Sequence, residues 1–465
     1  MIKNLIRLLL VLVCINVSSA RANQIPSEQQ LIDQKQKLSK AKQPELEATF
    51  EVHNPTKQYS RLKCFALVLG TNKMLDQMAK IIQYDLEFSD QVEIVLNKYS
   101  AELAPNVLTK LYDQGYSLCL YLKEEKNPAN QLVINVLLKD PASGITFFEK
   151  KFAYQEKNIV LQAHKISDEL CPAMTGEKGP SLSTLAYCKQ LSKNQKVICL
   201  ADYTCNYERT IIPGKTINII PCFDINLPRI FYSQFTKTNC RLMQYNLATQ
   251  KHHVVCSYDS LNMQPSFSPD GSKSVLCLSC RGNSELYLYD QSLCNKLGKR
   301  IFKQLTHNKG NNVSPCYLPS GDVAFCSDFE SKFPQLYILD AKTQKTRRLT
   351  NGKGYCADPS YCSKTNKIVY TRYIKGTFQL CILDLNEKTL REKQLTTCQG
   401  DKIEPCWSDC GRYVSFTYAV GNTITKKIAT QIAVFNTLSG KKRILTKGKE
   451  AKSFPAWTSK SLYTL

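Results

Sequence analysis

From about residue 182 to the C-terminus, hydrophobic and polar positions recur in units of 44 to 50 residues, a period that marks a repeat architecture. Each unit opens on proline, a small residue and an aromatic: Pro221-Cys222-Phe223, Pro265-Ser266-Phe267, Pro315-Cys316-Tyr317, Pro359-Ser360-Tyr361, Pro405-Cys406-Trp407 and Pro455-Ala456-Trp457. A turn follows, clearest as Ser268-Pro269-Asp270-Gly271 and weakened to Leu318-Pro319-Ser320-Gly321 and Ser408-Asp409-Cys410-Gly411. Proline presets one turn position and glycine accepts positive φ, so this is hairpin chemistry. Next come a short apolar strand, such as Val323-Ala324-Phe325, Ile368-Val369-Tyr370 or Val414-Ser415-Phe416, and a second strand ending in Asp290, Asp340 or Asp384. Asp202, Asn246 and Asn436 fill the same slot, where an Asx side chain can bond the backbone of the following turn. The unit closes on Leu-Thr, at 305–306, 349–350, 395–396 and 445–446.

Four short strands repeated radially predict an all-β propeller of four-stranded blades over 180–465. The first unit has later strands at 185–187 and 197–202 but no proline-aromatic strand before them, whereas the C-terminus carries a surplus one at 455–457. Five complete units and one split unit predict six blades. The last strand then completes the first blade and hides the edges of the ring.

Ahead of the repeats the pattern predicts a small α/β domain over 50–175. Cys64 to Leu69 reads as a buried strand ending at Gly70, and Met74, Met78, Ile81, Ile82 and Leu86 share one helical face, with Thr71 or Asn72 as cap. Strands follow near 92–96, 117–122, 132–138 and 145–154, with a short helix between the first two, and a last helix over 159–170 ends before Pro172. No glycine-rich phosphate loop follows the first strand, so a nucleotide site is unsupported.

The first segment sets the compartment. Lys3 and Arg7 precede an apolar run from Leu8 to Val17, and Ala20-Arg21-Ala22 supplies small cleavage residues, the pattern of a signal peptide over 1–22. The run is too short to span a membrane, and Val13 is too large for a lipidation site at Cys14. Residues 23–49 form a Gln/Lys-rich extension with few apolar positions, which reads as a tether.

Composition adds two features. The formal charge is +23, and cleavage removes Lys3, Arg7 and Arg21 to leave about +20. The basic residues, as in Arg347-Arg348 and Lys441-Lys442-Arg443, are scattered rather than stacked on one helix, which reads as a solvated surface. Of 21 cysteines, Cys222, Cys316 and Cys406 occupy the slot that holds Ser266, Ser360 and Ala456 elsewhere, and Cys188, Cys277 and Cys326 share one with Ser233, Thr371 and Thr417. Cysteine therefore fills small buried positions as a compact apolar residue. Cys277-Leu278-Ser279-Cys280 has redox spacing but lies in a strand rather than at a helix start.

A search for catalytic chemistry finds no constellation. His53, His164, His252, His253 and His307 lack metal-ligand spacing. His164 on the last α/β helix reads as structural, and His252-His253 falls in an outer strand or turn of a blade. Glu124-Glu125 lies in polar sequence, and no G-x-S-x-G elbow occurs.

The signal segment, the α/β domain and six repeats with P-x-aromatic, S-P-D-G and Leu-Thr elements resemble the TolB family, periplasmic propeller proteins of the Tol–Pal envelope system. The likeness runs from about Gln58 onward and includes Phe454-Pro455-Ala456-Trp457 and the junction Thr175-Gly176-Glu177-Lys178-Gly179. The resemblance implies a non-enzymatic, monomeric interaction protein of a Gram-negative periplasm, with no cofactor and no metal. It implies docking to the peptidoglycan-associated lipoprotein Pal and to an inner-membrane partner similar to TolA, in the service of envelope integrity and cell division. Pal would dock at one mouth of the propeller on loops just before the P-x-aromatic strands, which here hold Asn262, Gln264, Asn311, Asn312, Val313, Ser314, Asp358, Glu404 and Lys452. Loops at the rim of a rigid scaffold are expected to be exposed. The Gln/Lys-rich extension departs from the family's short N-terminal segment. Two other readings stay open: an exported propeller enzyme of peptidase or lactonase type, and a binder of an acidic cell-wall polymer.

Overall fold

The computed structural model describes residues 51–52, 61–70, 72–99, 106–154, 158–280, 282–297, 300–331, 333–352, 354–387, 390–419 and 429–462. The signal segment and the 23–49 extension lie outside them. The chain divides into two bodies, one from Pro55 to Ser183 and one holding Thr184–Thr458 together with strand β1 (Glu51–Val52).

The first body contains β2 (Leu62–Leu69), α1 (Lys73–Glu87), β3 (Val92–Tyr99), α2 (Val107–Asp113), β4 (Leu118–Lys126), β5 (Leu132–Lys139), β6 (Thr146–Ala153) and α3 (Ile159–Thr175). Its sheet runs β3-β2-β4-β5-β6, parallel around β2 and antiparallel beyond β4. Helix α1 starts where Asn72 Oδ1 accepts from the Met74 N–H at 2.9 Å, satisfying one of the first-turn donors. Its face of Leu75, Met78, Ala79, Ile82 and Leu86 shares one core with Cys64, Ala66 and Val68 of β2 and Ile166 and Leu170 of α3. His164 is structural, its Nδ1 2.8 Å from Asp85 Oδ2 with both side chains buried, which ties α3 to α1. One expectation fails. Helix α3 does not stop before Pro172 but continues to Thr175, where Gly176 at φ 76° caps it and donates to Pro172 O at 2.8 Å. Proline in the last turn forfeits one hydrogen bond, while Cys171 and Met174 beyond Leu170 keep burying apolar surface.

The second body is built from antiparallel four-stranded groups. They are β10 (Ile217–Phe223) to β13 through β11 (Arg229–Phe235), β12 (Cys240–Asn246) and β13 (His252–Cys256); then β14 (Asn262–Phe267), β15 (Lys273–Leu278), β16 (Glu285–Asp290) and β17 (Phe302–Gln304). Next come β18 (Asn312–Tyr317), β19 (Val323–Ser327), β20 (Gln335–Leu339) and β21 (Thr346–Arg348), then β22 (Cys356–Cys362), β23 (Lys367–Ile374), β24 (Thr377–Asp384) and β25 (Glu392–Gln394). The last full group is β26 (Asp401–Trp407), β27 (Tyr413–Ala419), β28 (Gln431–Asn436) and β29 (Lys442–Ile444). A split group joins β7 (Thr184–Ser192), β8 (Gln195–Asp202) and β9 (Glu208–Ile212) to the C-terminal β30 (Lys452–Thr458). In that pairing Trp457 lies opposite Leu185 and Ala456 opposite Ala186. Helix α4 (Gln291–Leu297) is an insertion between β16 and β17 that the repeat did not announce. Strand β1 adds in parallel to the outer edge of β25, Glu51 opposite Lys393.

The repeated residues now have contacts. Asn246, Asp340, Asp384 and Asn436 accept from turn N–H groups two or three residues on, at 2.7 to 3.3 Å. Each Leu-Thr threonine is half of a latch: Thr350 Oγ1 donates to Gln335 Oε1 at 2.9 Å and accepts from the Leu336 N–H at 3.1 Å. Thr396 with Gln379, Thr446 with Gln431, and Thr306 with Glu285 repeat it. Cys188, Cys277 and Cys326 stand opposite Ser453, Met263 and Val313 on the opening strands of their groups. All three are buried, and the twenty cysteines from Cys64 to Cys410 are unbridged thiols.

Candidate functional site

The opening strands β10, β14, β18, β22, β26 and β30 touch one another in that order, and β30 touches β10. Residues of all six line one channel of about 360 Å³. In each, the ladder shifts register around the repeat proline, between 219 and 222, 263 and 266, 313 and 316, 357 and 360, 403 and 406, and 453 and 456. Proline has no N–H to give a ladder, so a bulge is where an interior strand tolerates it. The residue before it turns to positive φ: Ile220 57°, Ser314 50°, Asp358 53°, Glu404 58° and Phe454 55°. That conformation costs an L-residue about 1–2 kcal/mol, yet it recurs in one slot, and all five side chains line the channel.

The lining has a polar arc and an apolar one. Ser314 Oγ donates to Asp358 Oδ1 at 3.1 Å, and the Glu404 N–H also bonds Asp358. Glu404 Oε2 accepts from Thr417 Oγ1 at 2.5 Å and from the Phe454 N–H at 2.7 Å, while its buried Oε1 has no hydrogen-bond partner among the described residues. Burial pushes the Glu404 carboxyl up to about 7 despite the bonds from Thr417 and Phe454; the Asp358 carboxylate adds to the rise and Lys196 opposes it. Burial likewise raises Asp358, against its bonds from Ser314 and Glu404. On the apolar side Phe454 and Ile220 face the channel with Met263, and Lys196 Nζ stands 5.8 Å from the Phe454 ring centre. Among the described residues no group of three or more His, Cys, Asp or Glu is arranged to hold a metal ion.

The expected rim residues are not exposed loops. Asn262, Asn312 and Lys452 occupy the third position before the proline and are buried. Asn262 Nδ2 donates to the carbonyls of Cys240 and Tyr258 at 2.8 Å and of Ser260 at 3.1 Å. Asn312 Nδ2 donates to Glu285 Oε2 at 2.8 Å and Asn308 Oδ1 at 2.9 Å, and Lys452 Nζ to Lys447 O at 2.9 Å. Asn311 is engaged within the same body, its N–H donating to Asp328 Oδ1 at 2.7 Å and its Oδ1 accepting from the Ser284 N–H at 3.3 Å. Val313 is packed in the core beside the channel. Gln264 lies in β14 at the register of Ser314. Only Val313, Ser314, Asp358 and Glu404 of the nine are seen to line the channel, and Ile220, Phe454 and Tyr355 join them unpredicted. The position directly before each repeat proline was the available signal. A second groove of about 280 Å³ lies between the β11–β13 and β15–β17 strands, lined by Arg229, Lys273, Arg300, Phe267 and Tyr289.

Residues 172–461 match the family model described as the TolB beta propeller domain. The chain is 27% identical over 253 residues to the Tol-Pal system protein TolB of Helicobacter pylori (strain ATCC 700392 / 26695), covering 51% of this chain and 58% of that protein. The chain thus spans less than two thirds of that relative's length. It is 26% identical over 332 residues to the Tol-Pal system protein TolB of Francisella tularensis subsp. mediasiatica, covering 69% and 74%. The crystal structure of TolB from Acinetobacter baumannii superposes with a TM-score of 0.74 at 21% identity, covering 88% of this chain and 98% of that one, a likeness of fold.

Proposed function

The chain belongs to the TolB family, and from that premise we propose that it is a non-enzymatic component of a Tol–Pal system, working in the periplasm of a Gram-negative cell after its signal segment is removed. In this reading the second body is a closed six-bladed ring and a monomer. A Pal-like lipoprotein docks over the channel mouth, and a TolA-like inner-membrane protein is the second partner. The observation that carries the proposal is the ring of left-handed residues before the prolines. Ser314, Asp358 and Glu404 offer hydrogen-bond acceptors on one arc, and Phe454 and Ile220 apolar surface on the other. A rigid scaffold that projects such a mixed ring into a channel suits recognition of an inserted loop more than turnover of a substrate.

The test is co-purification of the full mature chain with the Pal lipoprotein of the same organism. A complex weakened by Ser314→Ala with Tyr355→Ala, two channel-lining changes, is the expected result. Absence of any complex with the unaltered chain overturns the reading.

A further inference from the structure

The basic charge of this chain is sorted radially. In each four-stranded group one end strand lines the channel and the other, among β9, β13, β17, β21, β25 and β29, lies at the outside, where β1 with Glu51 covers β25 and the other five are edges. These outer strands and the residues just before them carry cations in every group, including Arg209, Lys251, Lys303, Lys345, Arg347 and Arg391. Their two carboxylates are engaged inward: Glu208 accepts from Tyr187 and from Lys189 at 2.7 Å, and Glu392 from Arg372 and from Tyr370 at 2.9 Å. By contrast Lys251, Lys303, Lys345, Arg347 and Arg391 are exposed. Among the described residues none of these five stands within ion-pair distance of a carboxylate. On the inner strands the balance reverses. Asp358 and Glu404 face the channel, while Lys402 and Lys452 are buried against backbone carbonyls.

Lysine on an outer strand protects a sheet edge from pairing with another sheet, but edge protection needs one cation per strand and tolerates carboxylates beside it. A surplus of exposed cations, with fewer carboxylates than cations between them, makes a field that concentrates polyanions. We propose that the outer edge of the propeller is a cationic belt that binds a flexible acidic polymer, a chain of carboxylate-bearing sugars, independently of the channel. A flexible chain can follow cations spread over several outer strands, whereas a flat anionic bilayer can meet only a few of them at once. The groove of about 280 Å³ holding Arg300 and Lys273 between β13 and β17 is a concave seat along it.

The experiment compares three full-length mature proteins: the unaltered chain, a belt variant with Lys251, Lys303, Lys345, Arg347 and Arg391 changed to Gln, and a control with Lys73, Lys80, Lys110, Lys126 and Lys165 of the first body changed to Gln. The probes are polygalacturonic acid, neutral dextran, and vesicles of phosphatidylglycerol with phosphatidylcholine, each titrated across a salt series. The expected result is binding of polygalacturonic acid by the unaltered and control proteins. The belt variant should lose more than about tenfold in affinity with a shallower salt dependence, as expected when fewer counterions are released. Equal weakening in the control variant would assign binding to net charge and overturn the proposal. So would vesicle binding without polymer binding, or a belt variant that binds like the unaltered chain while its melting temperature is unchanged. Pal capture by the belt variant separates failure here from failure of the channel reading.

Discussion

Replacing Glu404 by Gln isolates one titration at the heart of the channel. Glutamine is isosteric and its carbonyl can accept the bonds that Thr417 and the Phe454 N–H give to Oε2, so the bulge keeps its partners. What disappears is a carboxyl whose burial pushes it from 4.5 to about 7. A group that binds its proton more tightly in the native state makes the protein most stable below about 4.5, and that stability is lost as pH rises through about 7. At 1.4 kcal/mol per tenfold change the difference amounts to about 3 kcal/mol. The variant is therefore expected to match the parent at pH 4.5 and to exceed it by up to about 3 kcal/mol at pH 8. Asp358 and Glu285 carry raised carboxyls of their own, which is why the parent-minus-variant difference is the quantity to read. Urea unfolding at half-unit pH steps, with m constant, measures it. A difference that is flat with pH, or a variant less stable at pH 8, would refute the reasoning.

Three further outcomes are expected. Asn262→Ala removes the buried side chain that holds three carbonyls and the Tyr258 N–H, and chemical unfolding should show a loss of about 2–4 kcal/mol. Arg372→Met strands the Glu392 carboxylate of a buried pair and should cost about 3–5 kcal/mol, while adding Glu392→Leu recovers part of it; a double-mutant cycle by urea unfolding measures both. In the native mature protein Cys280 and Cys398, the two exposed thiols, should react quickly with a thiol reagent, and denaturation should release the buried remainder.

The repeats were legible because one backbone event writes the same letters each time. The ladder skips, proline is tolerated there, and an aromatic two residues on returns to the core, so P-x-aromatic recurs in every group. The strand at 455–457 could be assigned to the first group for the same reason. What failed was the reading of the residues just upstream. Asn312, Asp358 and Glu404 have the composition of a solvated loop, yet they lie in inner strands, because Asn262, Asn312 and Lys452 spend their polar atoms on backbone carbonyls and on neighbouring side chains. That satisfaction depends on partners in other segments, such as Cys240 for Asn262. The Thr–Gln latches were hidden likewise, since Thr350 and Gln335 are 15 residues apart. Helix α4 interrupts one group only, so no periodicity could announce it, and Pro172 stopped α3 on paper because local propensity outweighed the burial of Met174.

The pairing of β30 with β7 also bears on how the chain is made. Residues 185 and 457 must meet across almost the whole repeat region, a long loop closure, and such contacts form late because their entropy cost comes before their reward. A chain synthesised from its N-terminus holds β7 with one edge unpaired until residue 458 is available. Until then every later group can be complete while the first is not. The last seven-residue strand is thus the step that commits the body to its native state, and deleting it should leave a protein with a sticky edge rather than merely a shorter one.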